Sequence, residues 1–270
     1  MLHSRFLACL FLLPALWAGS VLAVEVIELD YRLLETRPHP QRPFTQGLEL
    51  DAGDWLESSG RYGESYLMRY RFDEQGQAQI LWQTPLAKQF FAEGLTRLDD
   101  FLYLLTWKAG RLHVFHSATG ELERTLDYAG EGWGLASDGE WLIRSDGSDR
   151  LYFHHPDTFA VTHSLRVTED GKKLSRLNEL EFAGGWIWAN LWQQDRLVGI
   201  NPQTGQVHYQ VDIGPLSRRE GHTDPDWVAN GIGWDVERQG FWITGKRWRE
   251  MYLLQWPLPS HSPDTETPHD

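Results

Sequence analysis

The sequence predicts an all-β chain folded as a five-bladed β-propeller with four-stranded blades, and three observations carry that expectation. A short phrase recurs five times: Gln46-Gly47-Leu48, Glu93-Gly94-Leu95, Trp133-Gly134-Leu135, Asn178-Glu179-Leu180 and Asn230-Gly231-Ile232. Its first residues stand 47, 40, 45 and 52 positions apart, close to the period expected of propeller blades. Between recurrences lie short β-branched and aromatic runs separated by Gly, Asp and Asn turns. Nothing sustains a helical period over a useful length.

Each unit then resolves into strands in order. A second segment follows each phrase: Trp55-Leu56, Phe101 to Leu105, Trp141 to Ile143, Trp186 to Trp188 and Phe241 to Ile243. A third follows at Tyr66 to Met68, Arg111 to Phe115, Arg150 to Phe153, Arg196 to Ile200 and Met251 to Leu254. Turns such as Thr119-Gly120-Glu121 and Thr204-Gly205-Gln206 lead into a fourth. The fifth unit has three strands before Pro257-Leu258-Pro259, so the strand-like stretch Ile27 to Glu35 is expected to supply its outer strand and close the ring. A closed ring leaves only short, protected edges.

The termini read differently. Arg5, the apolar run Phe6 to Trp17 and the small residues at Val21-Leu22-Ala23 form an export-signal pattern, and the run is shorter than a spanning helix needs. The expected organisation is a signal peptide at 1–23, a propeller at 24–259 and a polar, disordered tail at 260–270. The protein is then periplasmic or secreted. Cleavage removes Cys9, the one cysteine, so no disulfide staples the fold and a packed core must hold it. With 25 basic and 38 acidic residues the formal charge is −13. That excludes a basic nucleic-acid footprint and disfavours anionic membrane surfaces. Fourteen tryptophans imply either broad apolar packing or an aromatic pocket.

The first strand of a propeller blade lines the central axis. The phrase-initial residues Gln46, Glu93, Trp133, Asn178 and Asn230 are therefore expected to form one ring. An antiparallel hairpin returns the chain to the same end. Trp107 and Trp192 stand fourteen residues beyond Glu93 and Asn178, and Lys246 stands sixteen beyond Asn230. These should cap the same mouth, giving a pocket with one acid, one amine, amides and three indoles, as a small-molecule site requires. Polar groups that merely bond neighbouring blades in a wet channel remain the alternative.

Other motifs read as structure. His154-His155 and His113-x-x-His116 lack metal geometry, because alternation sends adjacent strand residues to opposite faces. Asp146-Gly147-Ser148-Asp149 is expected to be a turn between second and third strands. His222 to Asp226 reads as an ordinary solvated loop rather than a lid. No nucleophile elbow, P-loop or zinc-finger spacing is present.

Phe44-Thr45-Gln46-Gly47-Leu48, Phe91 to Thr96, Gly132 to Leu135, Leu177 to Glu181 and Asn230-Gly231-Ile232 together resemble the signatures of the plant and bacterial, papaya-type glutaminyl cyclases. The likeness runs over essentially the whole mature chain. It implies a five-bladed propeller that needs neither metal nor cofactor. It also implies a substrate partner, a peptide or protein with N-terminal glutamine, cyclised to pyroglutamate with loss of ammonia. The resemblance places the catalytic glutamate at Glu93 and pocket residues at Phe44, Gln46, Phe91, Trp107, Trp133, Asn178, Trp192 and Lys246. Glu93 is expected to shuttle the proton, with Asn178 and Lys246 donating to the developing oxyanion. The indoles would hold the glutamine in its cyclising conformer, and a monomer is expected to suffice. Two rivals stay open on the residues alone: a metal-dependent, lactonase-like propeller hydrolase in which Glu93, Asn178 and another carboxylate would bind a divalent ion, and a non-catalytic peptide-binding propeller.

Overall fold

The computed structural model describes residues 25–221 and 223–258. The expected signal peptide, tail and His222 lie outside them. Five four-stranded antiparallel units are arranged around one axis, and each inner strand touches the next until the fifth meets the first. The inner strands are Thr45–Asp51, Ala92–Leu98, Leu135–Ser137, Leu177–Ala183 and Ala229–Asp235. The recurring phrase therefore begins every blade at the axis.

Glycine in the phrase answers a packing need. A Cβ on Gly47 would lie 2.6 Å from the Leu95 nitrogen, one on Gly94 2.5 Å from the Leu135 nitrogen, and one on Gly134 2.0 Å from the Asn178 oxygen. Each contact is with the neighbouring inner strand, so any side chain would push two blades apart. Blade four departs from the rule with Glu179, whose carboxylate reaches across the axis to accept from the Leu48 and Ile232 amides at 3.3 and 2.9 Å. Inner strands otherwise present an unpaired edge. Glu181 does the same for Trp234 at 2.9 Å and Glu49 for Arg97 at 2.7 Å.

The core lies between blades. Five apolar clusters occupy the seams, for example Trp55, Met68, Trp242 and Leu253 between blades five and one. Another gathers Trp188, Phe241, Tyr252 and Trp256 between blades four and five. Full burial of each such aliphatic or aromatic side chain contributes about 1.5–3 kcal/mol. The tryptophan surplus divides between these seams and the channel mouth, so both readings of the composition apply.

Closure follows expectation with shifted boundaries. The strand that completes blade five is Arg32–Pro38, antiparallel to Glu250–Gln255. Ile27–Glu28 instead adds a parallel fifth strand to the outside of blade four. The break falls at Leu29 to Tyr31, where the chain passes from one blade to the next. Beyond Pro38, His39 is buried and pairs with Glu57 at 2.9 Å, locking the blade-five strand to blade one. One short helix, Gly214–Glu220, escaped the periodicity reading because seven residues hold barely two turns.

Candidate active site

At the start of an inner strand the backbone bulges. The register against the second strand shifts between Thr45 and Gly47, Ala92 and Leu95, Leu177 and Leu180, and Ala229 and Ile232. A bulge leaves a residue out of the ladder and re-aims its side chain. The residues so re-aimed are the first residues of the phrase. Second strands brace them from the neighbouring blade: Ser58 Oγ donates to the Glu93 carbonyl at 2.6 Å and Ser145 Oγ to the Asn178 carbonyl at 2.7 Å.

The result is a cavity of about 470 Å³ at one mouth of the channel, within the usual range for small-molecule sites. It is lined by all nine residues anticipated from the sequence: Phe44, Gln46, Phe91, Glu93, Trp107, Trp133, Asn178, Trp192 and Lys246. Asn230, the fifth member of the expected ring, is the correction. It is fully buried and donates to Gln46 Oε1 at 3.1 Å and the Thr45 carbonyl at 3.0 Å, so it supports the lining without joining it. The positive φ of 127° at Gly231 belongs to the same local distortion of the strand.

A relay of amides sets the acid. Asn230 fixes Gln46, and Gln46 Nε2 donates to Glu93 Oε1 at 3.3 Å. Among the described residues Glu93 forms no ion pair, and its carboxylate faces the cavity. Burial raises its pKa well above the ordinary carboxylate value, against the pull of Lys246, with Glu131 adding to the rise. Lys246 is also buried, and desolvation lowers its pKa against the opposing charges of Glu93 and Asp226. Its Nζ sits 5.1 Å from the centre of the Phe44 ring and has no hydrogen-bond acceptor among the described residues. The Asn178 side-chain amide likewise opens to the cavity unpaired. The Glu93 carboxyl and two unpaired donors thus share a largely apolar chamber.

Aromatic edges fix the walls. Trp133 meets Trp192 edge-to-face at 5.7 Å, Phe91 meets Trp107 at 5.6 Å, and Phe44 meets Phe91 at 6.3 Å. At the hairpin position that Trp107, Trp192 and Lys246 hold in other blades, blade three has a glycine, Gly147, fourteen residues beyond Trp133. A Cβ there would lie 2.7 Å from the Trp133 ring. Its absence is what lets the indole lie in the mouth.

Four contributors were not anticipated. Arg61 and Tyr62 line the cavity, and Arg61 lies 4.5 Å over the Phe44 ring. It stands fifteen residues beyond Gln46, so the spacing that found Trp107 and Lys246 also marks this position. Asp226 lines the cavity too, although Thr223 to Asp226 are all exposed, as the reading of a solvated loop requires. The helix Gly214–Glu220 anchors that segment: buried Glu220 accepts from Tyr252 Oη at 2.7 Å and the Arg249 amide at 2.8 Å. The Lys246 amide then bonds the Val228 carbonyl at 2.9 Å, drawing the loop over the mouth. Glu131, just behind the lining, accepts hydrogen bonds from Trp107 Nε1 at 2.8 Å and Trp133 Nε1 at 3.0 Å.

The histidines are occupied elsewhere. His154 is buried against the Phe159 carbonyl at 2.8 Å while His155 is exposed, and His113 bonds Thr125 at 2.9 Å. Asp146 to Asp149 is the expected turn, with the Ser148 amide on Asp146 Oδ1 at 3.0 Å. Among the described residues no group of three or more His, Cys, Asp or Glu side chains is gathered where it could hold a metal ion.

Comparison with known proteins completes the picture. Residues 7–256 match the family model described as glutamine cyclotransferase. The chain is 34% identical over 239 residues to the glutaminyl-peptide cyclotransferase of Arabidopsis thaliana, across 85% of this chain and 73% of that protein. The crystal structure of Myxococcus xanthus glutaminyl cyclase aligns with a TM-score of 0.80 at 34% identity, over 87% of this chain and 100% of that one.

Proposed function

The chain belongs to the glutamine cyclotransferase family, and on that premise we propose that Glu93 carries the proton transfers of a metal-free glutaminyl-peptide cyclotransferase. The activity is cyclisation of N-terminal glutamine on peptides. The observation that carries the mechanism is the buried Glu93 carboxylate, open to the cavity opposite two unpaired donors, Asn178 and Lys246.

The substrate supplies its own nucleophile. Its α-amine nitrogen attacks the side-chain amide carbon, and a tetrahedral intermediate forms with the negative charge on the former carbonyl oxygen. Glu93 takes a proton from the attacking nitrogen and passes it to the departing nitrogen. The old carbon–nitrogen bond then breaks and ammonia leaves. A carboxyl whose pKa is raised by burial suits this exchange, because it is a stronger base than an ordinary carboxylate and still returns the proton to the leaving nitrogen. Asn178 and Lys246, both buried in the cavity wall, donate to the oxyanion, where desolvation strengthens such bonds. Indole faces hold the side chain curled toward the amine, which supplies the proximity advantage of an intramolecular attack.

Metal independence is supported by the donor set. The two other carboxylates near Glu93 are engaged elsewhere, Asp226 by the charge of Lys246 and Glu131 by two indole nitrogens, and the remaining lining of amine, amides and indoles makes a poor shell for a divalent ion. An ammonia-release assay on a glutaminyl dipeptide, with and without EDTA, tests both parts. Release unaffected by EDTA is expected. Loss of activity that zinc or calcium restores would transfer the site to the metallohydrolase reading, and no release at all would leave a binding propeller.

A further inference from the structure

We propose that Glu131 is the positioning residue of the glutamine pocket, its carboxylate holding the indoles of Trp107 and Trp133 at the angle that seats the substrate side chain. The two tryptophans belong to different blades and have no hydrogen bond to each other. One oxygen, Glu131 Oε2, accepts from both indole nitrogens, at 2.8 and 3.0 Å. Indole nitrogen donates only, so anchoring it fixes which ring face turns to the cavity.

The carboxylate is itself held in place. The Gly132 amide, next in the chain, bonds the Trp107 carbonyl at 3.0 Å, and Arg144 donates to the Glu131 carbonyl. Lys108 lies 4.0 Å over the Trp107 ring and 3.8 Å from Glu131 Oε1. Trp107 thereby has Lys108 over its ring, Phe91 in edge contact and its indole nitrogen tied to Glu131. Trp133 in turn presses edge-on against Trp192. A single side chain thus sets the angle of two of the three indoles directly and the third through contact.

Glu131 has a second influence, through charge. It lies near Glu93 and opposes its ionisation, while Lys246 from blade five favours it. Tyr128 also faces Glu93, and Asp226 faces Lys246. Half-exposure of Glu131 and its neighbour Lys108 screens this effect, which is therefore smaller than the hydrogen bonding.

The proposal rests on the cyclase reading of the pocket, so its test separates the two. Turnover is followed with a glutaminyl dipeptide, and binding by tryptophan fluorescence with the matching pyroglutamyl product. In Glu131→Ala both indole anchors go, and KM and the product Kd should each rise about tenfold, as two lost hydrogen bonds imply. Glu131→Gln keeps an acceptor but no charge. It should restore KM to within about twofold of wild type while the acid limb of kcat/KM moves to lower pH, a movement that salt diminishes. A folded Glu131→Ala variant with wild-type KM and product affinity overturns the proposal. If that variant does not fold, Glu131→Gln decides: an acid limb at its wild-type position, or a tenfold KM defect, overturns it. Wild-type protein that releases no ammonia yet binds product would instead sink the cyclase reading and leave the indole clamp standing.

Discussion

Glu93 and Glu179 are both buried carboxylates at the axis of the ring, one in the phrase of blade two and the other in that of blade four. They are 6% and 0% exposed, and burial raises the pKa of each well above the usual carboxylate range. Their partners differ. Glu179 gives each oxygen to a backbone amide of another blade, Leu48 of blade one across the axis and Ile232 of blade five beside it. Glu93 receives one long bond from Gln46 at 3.3 Å and turns its remaining lone pairs to the cavity. Desolvation alone therefore does not distinguish chemistry from scaffold in this ring. Saturation by backbone does: each Glu179 oxygen is tied to an amide and lies outside the cavity lining, where no substrate proton reaches it, whereas Glu93 opens to the cavity.

The largest effect expected from breaking this contrast is at Glu93. Glu93→Gln keeps the volume and a partner for Gln46 but cannot accept a proton. Its kcat should fall by at least about 10²-fold while cooperative folding and product binding persist, as loss of a general acid–base group implies. Near-normal turnover in a folded variant would place the chemistry elsewhere.

Glu179→Gln asks the opposite question. An amide offers one acceptor oxygen, so either the Leu48 or the Ile232 amide then meets an NH2 group in a dry channel. An unsatisfied buried donor costs about 1–3 kcal/mol, and the urea midpoint should drop accordingly. Turnover per folded molecule should stay near wild type. If Glu179→Gln instead lost kcat as Glu93→Gln does, with an unchanged midpoint, saturation would not be what separates the two.

That division was half legible in the sequence. The phrase exposed the blades because inner strands must repeat the same close approach, and Gly47, Gly94 and Gly134 are the marks of it. Nine lining residues followed from the phrase and from hairpin spacing, helped by the family resemblance. Arg61 obeys the same spacing, fifteen residues beyond Gln46, but an arginine beside a turn carries no further sign that it enters the mouth. Asn230 obeyed the spacing yet turned into a seam, since its neighbours Thr45 and Gln46 offered buried acceptors. Glu131 and Asp226 were illegible for another reason: both sit on connections whose course depends on distant anchors, Arg144 for one and the helix at Gly214–Glu220 for the other. Strand periodicity carries no information about such loops. The clasp boundary failed likewise, because pairing with blade four or blade five is decided by tertiary contacts, not by strand character.

The smallest effect concerns pH and stability, and it falls on the scaffold end of the comparison. Glu181 lies on the inner strand of blade four, two residues beyond Glu179. Burial raises its pKa from 4.5 to about 7, although the Trp234 and Phe182 amides pull the other way. Because the folded value exceeds the unfolded one, the native state binds the proton more tightly. Its contribution to stability is complete below about pH 4.5 and is lost as pH rises through about 7. Glu49 and Glu179 are raised in the same direction, Glu49 partly by the charge of Glu181. Stability should therefore decline from mildly acidic to mildly alkaline solution. His154 contributes the opposite slope on the acid side, since burial lowers its pKa from 6.5 to about 4. Comparing Glu181→Gln with wild type at each pH removes that contribution. Urea midpoints of the variant should vary less between pH 5 and 8, roughly the span over which such a carboxyl titrates, with kcat following the wild-type profile. Glu93→Gln should flatten the stability profile in the same sense, because burial lifts that carboxyl too, but it alone should abolish turnover. A Glu181→Gln variant whose midpoints decline as steeply as wild type would show that this carboxyl does not exchange its proton on folding, and the pH response would then have to come from Glu49, Glu179 or Glu93.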